Sequence, residues 1–292
     1  MMPYGLDDGL LRSFVAVAET KSFTTAATHV HRSQSAISQQ MRRLEGIAGI
    51  PLLHRHSRHV SLTDQGEVFL AYARRLLRLQ DEALAAISHD ARQFPLRVGM
   101  PDDYAEAVLP QMLPAFATRH PNVRPHVHCT MSSQLLRRME LGELDLAITI
   151  RHAGQRGGQS TGETIRQEEI AWVAGPDYAD LSQAPIPLAL FPEGCPFRAR
   201  GINALLQVGR DWQLIYTTQS PTGIRIAVER QGAVTVNALR TTPATWQVLG
   251  DAHGLPSLPP VELDLHRSPS APAQATEEFA ALLEQTLAQP HH

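Results

Sequence analysis

The sequence is poor in the features that mark secreted and membrane proteins. Its two cysteines, Cys129 and Cys195, are too few for a disulfide framework. No apolar run approaches the roughly 20 residues that a membrane span needs. The first ten residues carry Asp7 and Asp8 and lack the basic and apolar segments of a signal peptide. We therefore expect a cytoplasmic protein without a membrane partner.

The sequence signatures of common enzymes are also missing. We find no Walker phosphate loop and no G-x-G-x-x-G dinucleotide motif. The segment GQSTG, residues 158–162, matches G-x-S-x-G in its letters, but it lies in a Gly- and Gln-rich stretch predicted to be a loop and not at the strand-to-helix turn of a nucleophile elbow. The chain is therefore predicted to be no enzyme and to hold no cofactor. An enzyme built on α/β lobes and a solute-binding protein are the alternative function classes. The second is disfavoured by the missing signal peptide and by an additional N-terminal arm of about 90 residues.

A basic segment stands out against an acidic chain. The 292 residues carry a net charge of −3, but residues 32–62 contain five arginines and one acid, Glu45, which leaves −7 for the remainder. Three histidines, His54, His56 and His59, lie in the same stretch. Such an island is typical of a module that binds phosphates, although an ordinary solvent-exposed basic face has the same composition.

Three short helices are predicted at the N-terminus. Apolar residues recur at helical spacing between Leu6 and Thr20, and Ser22 caps a second helix. A third helix begins at Ser33 or Ser35 and runs to about Ala48, where Gly49 ends it. Helices joined by turns this short are typical of a helix-turn-helix.

The exposed side of the third helix carries groups that can reach base edges and phosphates in a major groove. They are Gln34, Ser35, Ser38, Gln39, Arg42 and Arg43. A plain polar surface is the alternative. The following segment, residues 52–62, alternates apolar and polar residues around Arg55, His56, Arg58 and His59, which predicts a basic β-wing.

A long helix is predicted from Thr63 and Asp64 to about Arg92. Its apolar positions recur at spacings of three and four, which is the pattern of a coiled-coil seam. A lone helix with such a seam needs a partner, most simply a second copy of the chain. The seam residues are Phe69, Tyr72, Leu76, Leu79, Ala83 and Ala86.

Alternating strands and helices follow Pro95, which predicts parallel sheets with covering helices. A first series runs from the strand Leu96–Met100 to the strand Leu144–Ile150, and a second from Ile170 to the strand Ala233–Val236. Residues 153–162 are predicted to form a loop between the two series, and residues 276–288 a terminal helix.

These segments resemble the LysR-type transcriptional regulators. The resemblance is carried by LRSFVAVAETKSFTTAATHVHRSQSAISQQMRRLE (residues 11–45), GIPLLHR, VSLTDQGE, MELGELDLAIT and WVAGPDY, and it covers nearly the whole chain. It implies an α/β multidomain protein: a winged helix-turn-helix over residues 1–62, a dimerising linker helix over 63–92 and a two-lobed effector domain over 93–292, shaped like a periplasmic binding protein. Lobe I would take residues 95–163 and 266–292, and lobe II residues 164–265.

The resemblance also implies partners. These are double-stranded DNA, a small-molecule effector bound between the lobes, further copies of the chain in a dimer or tetramer, and RNA polymerase if the protein activates transcription. Ser35 and Gln39 depart from the proline and arginine that are usual in the family. The residues expected to contact DNA are Thr24, Arg32, Ser33, Gln34, Ser35, Ser38, Gln39, Arg42, Arg43, Arg55 and Arg58.

The effector is expected at the carboxyl ends of the strands, beside helix N-termini. Ser132 and Ser133 with Thr149 and Arg151 would suit an anion, whereas Asp102 and Asp103 would suit a hydroxyl or a cation. Serines at a helix start are equally typical of ordinary caps. The expected effector residues are Met100, Pro101, Asp102, Ser132, Ser133, Thr149, Arg151, Phe191, Cys195, Phe197, Ser220 and Thr222.

Two further hypotheses concern the cysteines and histidines. Cys195 could sense peroxide, but packing against the pocket is favoured because Cys129, its only possible partner, lies in the other lobe. His126 and His128 share one face of a predicted strand beside Cys129, yet no acidic or Cys-x-x-Cys companion completes a metal site. We therefore expect no metal.

Overall fold

A computed structural model describes residues 5–55, 60–87, 94–151, 162–178, 185–269 and 271–289. The chain divides into two compact units. One comprises Met1–Phe94, Arg137–Asp145 and Ser268–Pro272, and the other Pro95–Leu136, Leu146–Arg267 and Ala273–His292.

The first unit contains the predicted helix triplet and wing. Its elements are α1 (Asp8–Thr20), α2 (Phe23–His29), α3 (Gln34–Ala48), β1 (Leu53–Arg55), β2 (Val60–Leu62) and α4 (Asp64–Ile87). Strands β1 and β2 pair antiparallel. The predicted apolar faces of α1 and α3 meet in a core in which Phe14, Ile37, Met41 and Leu44 are fully buried.

The capping residues fix where the helices begin and end. Ser22 caps α2, and the hydroxyl of Ser33 accepts a hydrogen bond from the amide of Ala36 at 3.2 Å, so Ser33 and not Ser35 caps α3. Gly49 ends α3 at a φ of 72°, a left-handed conformation that glycine adopts without strain. The predicted bounds of α3 are thus confirmed.

Helix α4 has two apolar faces, and the sequence prediction mixed them. Leu70, Ala73 and Leu77 are buried in the core of the first unit, and Phe69 packs there at 5.2 Å from the Phe14 ring. Placing Phe69 in an outward seam was therefore wrong. The exposed stripe consists of Val68, Tyr72, Leu76, Leu79 and Leu84. The side chain of Ala86 and residues 88–93 lie outside the described residues.

Lobe I of the second part of the chain is a five-stranded sheet in the order β4-β3-β5-β12-β6, with three helices. Its elements are β3 (Phe94–Met100), α5 (Asp102–Arg119), β4 (Val123–Cys129), α6 (Ser132–Glu140), β5 (Leu146–Ile150), β6 (Glu163–Glu168), β12 (Val261–Arg267) and α9 (Ala273–Ala288).

Lobe II is a second five-stranded sheet in the order β11-β7-β10-β8-β9, with two helices. Its elements are β7 (Ile170–Ala174), β8 (Ile186–Leu190), α7 (Pro196–Val208), β9 (Trp212–Thr217), α8 (Pro221–Gln231), β10 (Val234–Ala238) and β11 (Gln247–Leu249).

Both sheets are mixed, not purely parallel as predicted. Strands β3 and β5 pair parallel, as do β8 with β9 and with β10, but β12 runs antiparallel to both β5 and β6. Because β6 and β12 belong to the sheet of lobe I, this lobe extends to Glu168 and resumes at Val261. The predicted loop 153–162 falls, except for Gly162, outside the described residues.

Candidate DNA interface and effector site

The outer face of α3 is built from polar side chains opposite a fully buried stripe. Ile37, Met41 and Leu44 point into the core, and Ser35, Gln39 and Arg42 lie on the opposite side of the helix and are exposed. Spacings of four and three place these three side chains in one row. The row is the part of the helix that can approach another molecule most closely.

Some neighbouring polar side chains already have hydrogen-bond or ion-pair partners within the first unit. The Ser33 hydroxyl caps the helix and lies 3.0 Å from that of Ser35, and Arg42 donates to the Ser38 hydroxyl at 3.3 Å. Arg43 pairs with Asp7 at 3.2 Å, which turns it toward α1. No side-chain hydrogen bond or ion pair within the described part of the chain engages Gln34 or Gln39.

The other predicted DNA-contact residues that are described lie on α2, in the turn before α3 and at the end of β1. Thr24 is exposed on α2, and Arg32 is exposed in the turn before α3. Arg55 ends β1, with a side chain that is not described, and Arg58 lies outside the described residues. His56 and His59 of the predicted wing lie outside them as well.

The single acid of the basic segment is turned inward. One Glu45 carboxylate oxygen accepts hydrogen bonds from the backbone amides of Leu52 and Leu53, at 3.0 and 3.2 Å. Glu45 thereby fixes the start of the wing to α3. Its negative charge is therefore directed away from the outer row of α3, and Arg42 keeps a positive potential there.

In the second unit, a cavity of about 110 Å³ opens between the two lobes. It lies at the carboxyl ends of β3, β4, β5, β8 and β9 and at the N-termini of α5 to α8, as expected for an open α/β fold. The lining residues are Pro101, Asp102, Asp103, Cys129, Thr130, Met131, Ser132, Ile150, Phe191, Cys195, Pro196, Phe197, Gln219 and Pro221.

The structure brings six of the twelve expected effector residues together. Pro101, Asp102, Ser132, Phe191, Cys195 and Phe197 line the cavity, whereas Met100, Ser133, Thr149, Arg151, Ser220 and Thr222 are not among the lining residues. The strand ends predicted to meet at the effector, residues 100–103, 130–133, 149–151, 191–197 and 220–222, also contain six further lining residues. These are Asp103, Thr130, Met131, Ile150, Pro196 and Pro221. Only Cys129 and Gln219 of the lining lie outside the predicted strand ends, each by one residue.

Three of the four residues expected to bind an anion form hydrogen bonds or ion pairs within lobe I. Arg151 makes a bidentate ion pair with the buried carboxylate of Asp264, at 2.8 and 2.6 Å, and also contacts Glu262. The Thr149 hydroxyl bonds to the buried His266 ring at 2.8 Å. The Ser132 hydroxyl accepts from the Ile150 amide at 2.9 Å and so ties α6 to β5.

The ionisable groups of the cavity wall are shifted toward their neutral forms. Burial raises the pKa of Asp103 to about 6, and burial also raises the pKa of Asp102. Burial raises the pKa of the Cys195 thiol to about 11 and raises that of Cys129. Both cysteines therefore remain protonated thiols, which react slowly with peroxide.

Polar contacts join the two lobes around the cavity. Glu106 of α5 pairs with Arg225 of α8 at 3.0 Å, and the Thr241 hydroxyl donates to the Asp103 carboxylate at 3.4 Å. Arg200 of α7 donates to the backbone oxygen of Arg151 at 3.4 Å. The first of these pairs is exposed, so separating the lobes there costs little free energy.

The described residues contain neither a metal-binding cluster nor a membrane-spanning helix. Within the described ranges, no three His, Cys, Asp or Glu side chains are placed to hold a metal ion. None of the described helices is both long enough and apolar enough to cross a membrane.

Comparisons with known proteins agree with this architecture. Residues 9–67 match the family described as bacterial regulatory helix-turn-helix protein, lysR family, and residues 89–287 match the LysR substrate binding domain. The HTH-type transcriptional regulator DgdR of Burkholderia cepacia is 36% identical over 94% of this chain and 92% of its own length. The HTH-type transcriptional regulator PecT of Dickeya dadantii (strain 3937) is 33% identical over 96% and 87%.

The fold is shared with solved structures as well. The crystal structure of ArgP from Mycobacterium tuberculosis superposes with a TM-score of 0.74 at 17% identity, over 99% of each chain. The helix triplet with its wing, the two-lobed domain around a cavity and relatives that match nearly end to end lead to one conclusion. The chain belongs to the LysR family of DNA-binding transcription regulators.

Proposed function

We propose that this regulator reads DNA with the outer face of α3 in the major groove, with Ser35, Gln39 and Arg42 closest to the duplex. The observation that carries the proposal is the row of these three exposed side chains opposite the buried stripe of Ile37, Met41 and Leu44. Gln39 suits bidentate contact with adenine, and Arg42 suits a guanine or a phosphate. Thr24, Arg32, Gln34, Ser38, Arg43, Arg55 and Arg58 are proposed to bind the backbone around this row.

A salt series of gel shifts on DNA upstream of its own gene tests this proposal. The Arg42→Gln variant should bind more weakly, with a salt dependence reduced by about one unit of slope if Arg42 neutralises one phosphate. Arg230→Gln, which removes the same charge from an exposed position of α8, should leave both quantities unchanged. Equal binding by the two variants would refute the proposed interface.

We propose that the exposed stripe of α4 joins two copies of the chain. Tyr72, Leu76 and Leu79 are 57%, 42% and 59% exposed, although apolar groups at helical spacing gain stability when buried. A dimer presents two α3 helices to half-sites about 34 Å apart. Two such dimers would form the tetramer, which is a separate step.

Sedimentation of Leu79→Glu tests the stripe. A charge at this position should shift the chain toward the monomer, whereas Leu206→Glu, the same substitution at an exposed position of α7, should not. If both variants keep the assembly of the unchanged chain, the stripe is not the interface.

We further propose that a small polar effector binds in the cavity between the lobes and changes how the protein acts on transcription. The cavity sits where strand ends and helix N-termini of both lobes converge, so a ligand there would alter the closure of the lobes. RNA polymerase is the further partner if the protein is an activator. We propose a cytoplasmic location, because a regulator of this kind acts on the chromosome. We propose no enzymatic reaction for it.

A further inference from the structure

The charge of the cavity wall is one-sided. Asp102 and Asp103 contribute two carboxyl groups, and no arginine, lysine or histidine is found among the described lining residues. Every other polar lining group, such as Thr130, Cys129 or Gln219, is neutral. An anionic ligand would therefore meet only repulsion from the charged groups of the wall.

The cation expected to bind an anion is already engaged. The guanidinium of Arg151 is held by Asp264 and Glu262, and the Thr149 hydroxyl bonds to the His266 ring. Releasing Arg151 toward the cavity would leave the buried Asp264 carboxylate without its cation, which is strongly destabilising. The Ser132 hydroxyl accepts from the Ile150 amide and can offer an anion only a neutral donor.

Asp103 is the group that lacks a counter-charge. Its one side-chain partner among the described contacts is the Thr241 hydroxyl, at 3.4 Å, and no basic side chain of the described residues pairs with it. Burial accordingly raises the pKa of this carboxyl to about 6. A cation entering the cavity would offset that desolvation.

The other walls limit the size and character of such a cation. Phe191, Phe197 and Met131 supply apolar surface, and aromatic faces attract ammonium groups. A volume of about 110 Å³ is smaller than the roughly 150 Å³ of an apolar cavity that accommodates benzene. The enclosed space therefore holds about four or five non-hydrogen atoms, and the open side of the cavity leaves room for one further group.

We propose that the effector is a small primary ammonium compound whose charged group binds the Asp103 carboxylate, with Asp102 beside it and the carbon chain against Phe191, Phe197 and Met131. This inference rests on the proposal that the cavity is the effector site. The ammonium group is shared by simple amines and amino acids, and the experiment below separates these two sources.

Calorimetric titration of the full-length protein at pH 8 and constant ionic strength tests the proposal with matched probes. These are n-butylammonium, n-butanol and butyrate, with L-norvaline as butylammonium carrying one added carboxylate. Since hydrogen bonds to charged groups contribute about 1.5–3 kcal/mol, butylammonium should bind about tenfold or more tightly than butanol, and butyrate most weakly. If norvaline binds at least as tightly as butylammonium, the effector class is amino acids. If norvaline binds more weakly, the effector class is simple amines.

Two variants locate the effect. Asp103→Asn should abolish the preference for butylammonium over butanol. Glu106→Gln should keep it, because it removes the same charge from the same helix at a position outside the cavity wall. Tightest binding of butyrate, no binding of any probe, or an ammonium preference that survives in Asp103→Asn would overturn the proposal.

Gel shifts of the same preparations separate this inference from the proposed function. Protein that binds its DNA but prefers butyrate keeps the regulator role and loses the ammonium class. Protein that prefers butylammonium through Asp103 but binds no DNA keeps the ammonium site and loses the DNA-reading proposal.

Discussion

Replacing Gly66 with alanine should unfold the DNA-binding unit at a much lower temperature. Gly66 lies in the first turn of α4, against the backbone of Leu52, the residue that precedes strand β1. A methyl group there would meet the carbonyl carbon of Leu52 at 3.1 Å and a methyl of Leu62 at 3.2 Å, and the Leu52 oxygen more closely still. The neighbour that would have to move is backbone, not the end of a flexible side chain.

That backbone is held in place by the start of the helix. The Thr63 amide donates to the Leu52 oxygen at 3.0 Å, and the Thr63 hydroxyl donates to the Pro51 oxygen and accepts from the Gly66 amide. Overpacking costs about 1–3 kcal/mol and each disrupted hydrogen bond about 1 kcal/mol. Alanine returns about 1 kcal/mol of helix propensity, so we expect a net loss of about 2–4 kcal/mol.

The positions of the tryptophans allow the two units to be followed separately in the full-length protein. Trp172, Trp212 and Trp246 all lie in the second unit, whereas DNA binding depends on the first. For a unit of this size the loss corresponds to a fall of about 10–30 °C in the temperature at which DNA binding is lost. The transition seen by tryptophan fluorescence should not move.

Gly46→Ala is the matched control. Gly46 is exposed in α3, and an added methyl group there would have no neighbour within 4 Å. The same substitution should therefore stabilise the unit by about 0.5–1 kcal/mol. Because Gly46 lies four residues after Arg42 on the outer side of α3, the temperature of loss is taken relative to each variant's own DNA binding at low temperature. If Gly66→Ala loses DNA binding at the temperature of the unchanged protein, the close approach of α4 to the wing is refuted.

Three further predictions concern the effector domain. The pKa of Asp103 in the folded state, about 6, exceeds its ordinary value of 3.8, so the folded state binds a proton that the unfolded state releases. The free energy of unfolding should therefore fall by up to about 3 kcal/mol as pH rises from about 4 to about 6. Urea unfolding of Asp103→Asn should lack this slope, and parallel pH profiles of the two proteins would contradict the assignment. Asp264→Asn should lower the free energy of unfolding in urea by about 3 kcal/mol, because the Arg151 guanidinium loses its bidentate partner. Glu262→Gln, at a more exposed carboxylate, should lower it by less than about 1 kcal/mol. Equal losses would exclude the bidentate pair as the dominant interaction. Cys195→Ser should leave the peroxide response of DNA binding unchanged, since the buried thiol stays protonated, and a response abolished by this substitution would restore the redox hypothesis.

Local signals were sufficient to predict where the helices of the DNA-binding unit begin and end. Ser22 and Gly49 mark helix ends through interactions with residues a few positions away, so their effects can be predicted from neighbouring letters. The two faces of α4 could not be separated in this way. Phe69 and Tyr72 both fit a spacing of three and four, and only the position of Phe14 shows that Phe69 belongs to the core.

The effector domain shows where local signals fail. Arg151 follows a strand end, which is typical of a ligand-binding residue, but its partner Asp264 lies 113 positions later in the chain. Strand β12 was missed because VELDLHR alternates with charged residues that normally face solvent, whereas Asp264 and His266 are buried. Their burial depends on a pairing across the sheet that the spacing of residues cannot reveal.

The position of β12 also sets an order for assembly on the ribosome. Lobe II is one uninterrupted stretch of chain between β6 and β12, so it is complete as soon as β11 and the turn after it have emerged. The sheet of lobe I, although its first strand is made earlier, cannot be completed until β12 has emerged. Strand β12 lies between β5 and β6, and no other described strand joins these two. Domains generally fold as units during synthesis. The lobe translated in the middle therefore closes before the lobe translated first, and a ribosome that stops short of Val261 releases a chain with a finished lobe II and an open edge on β5.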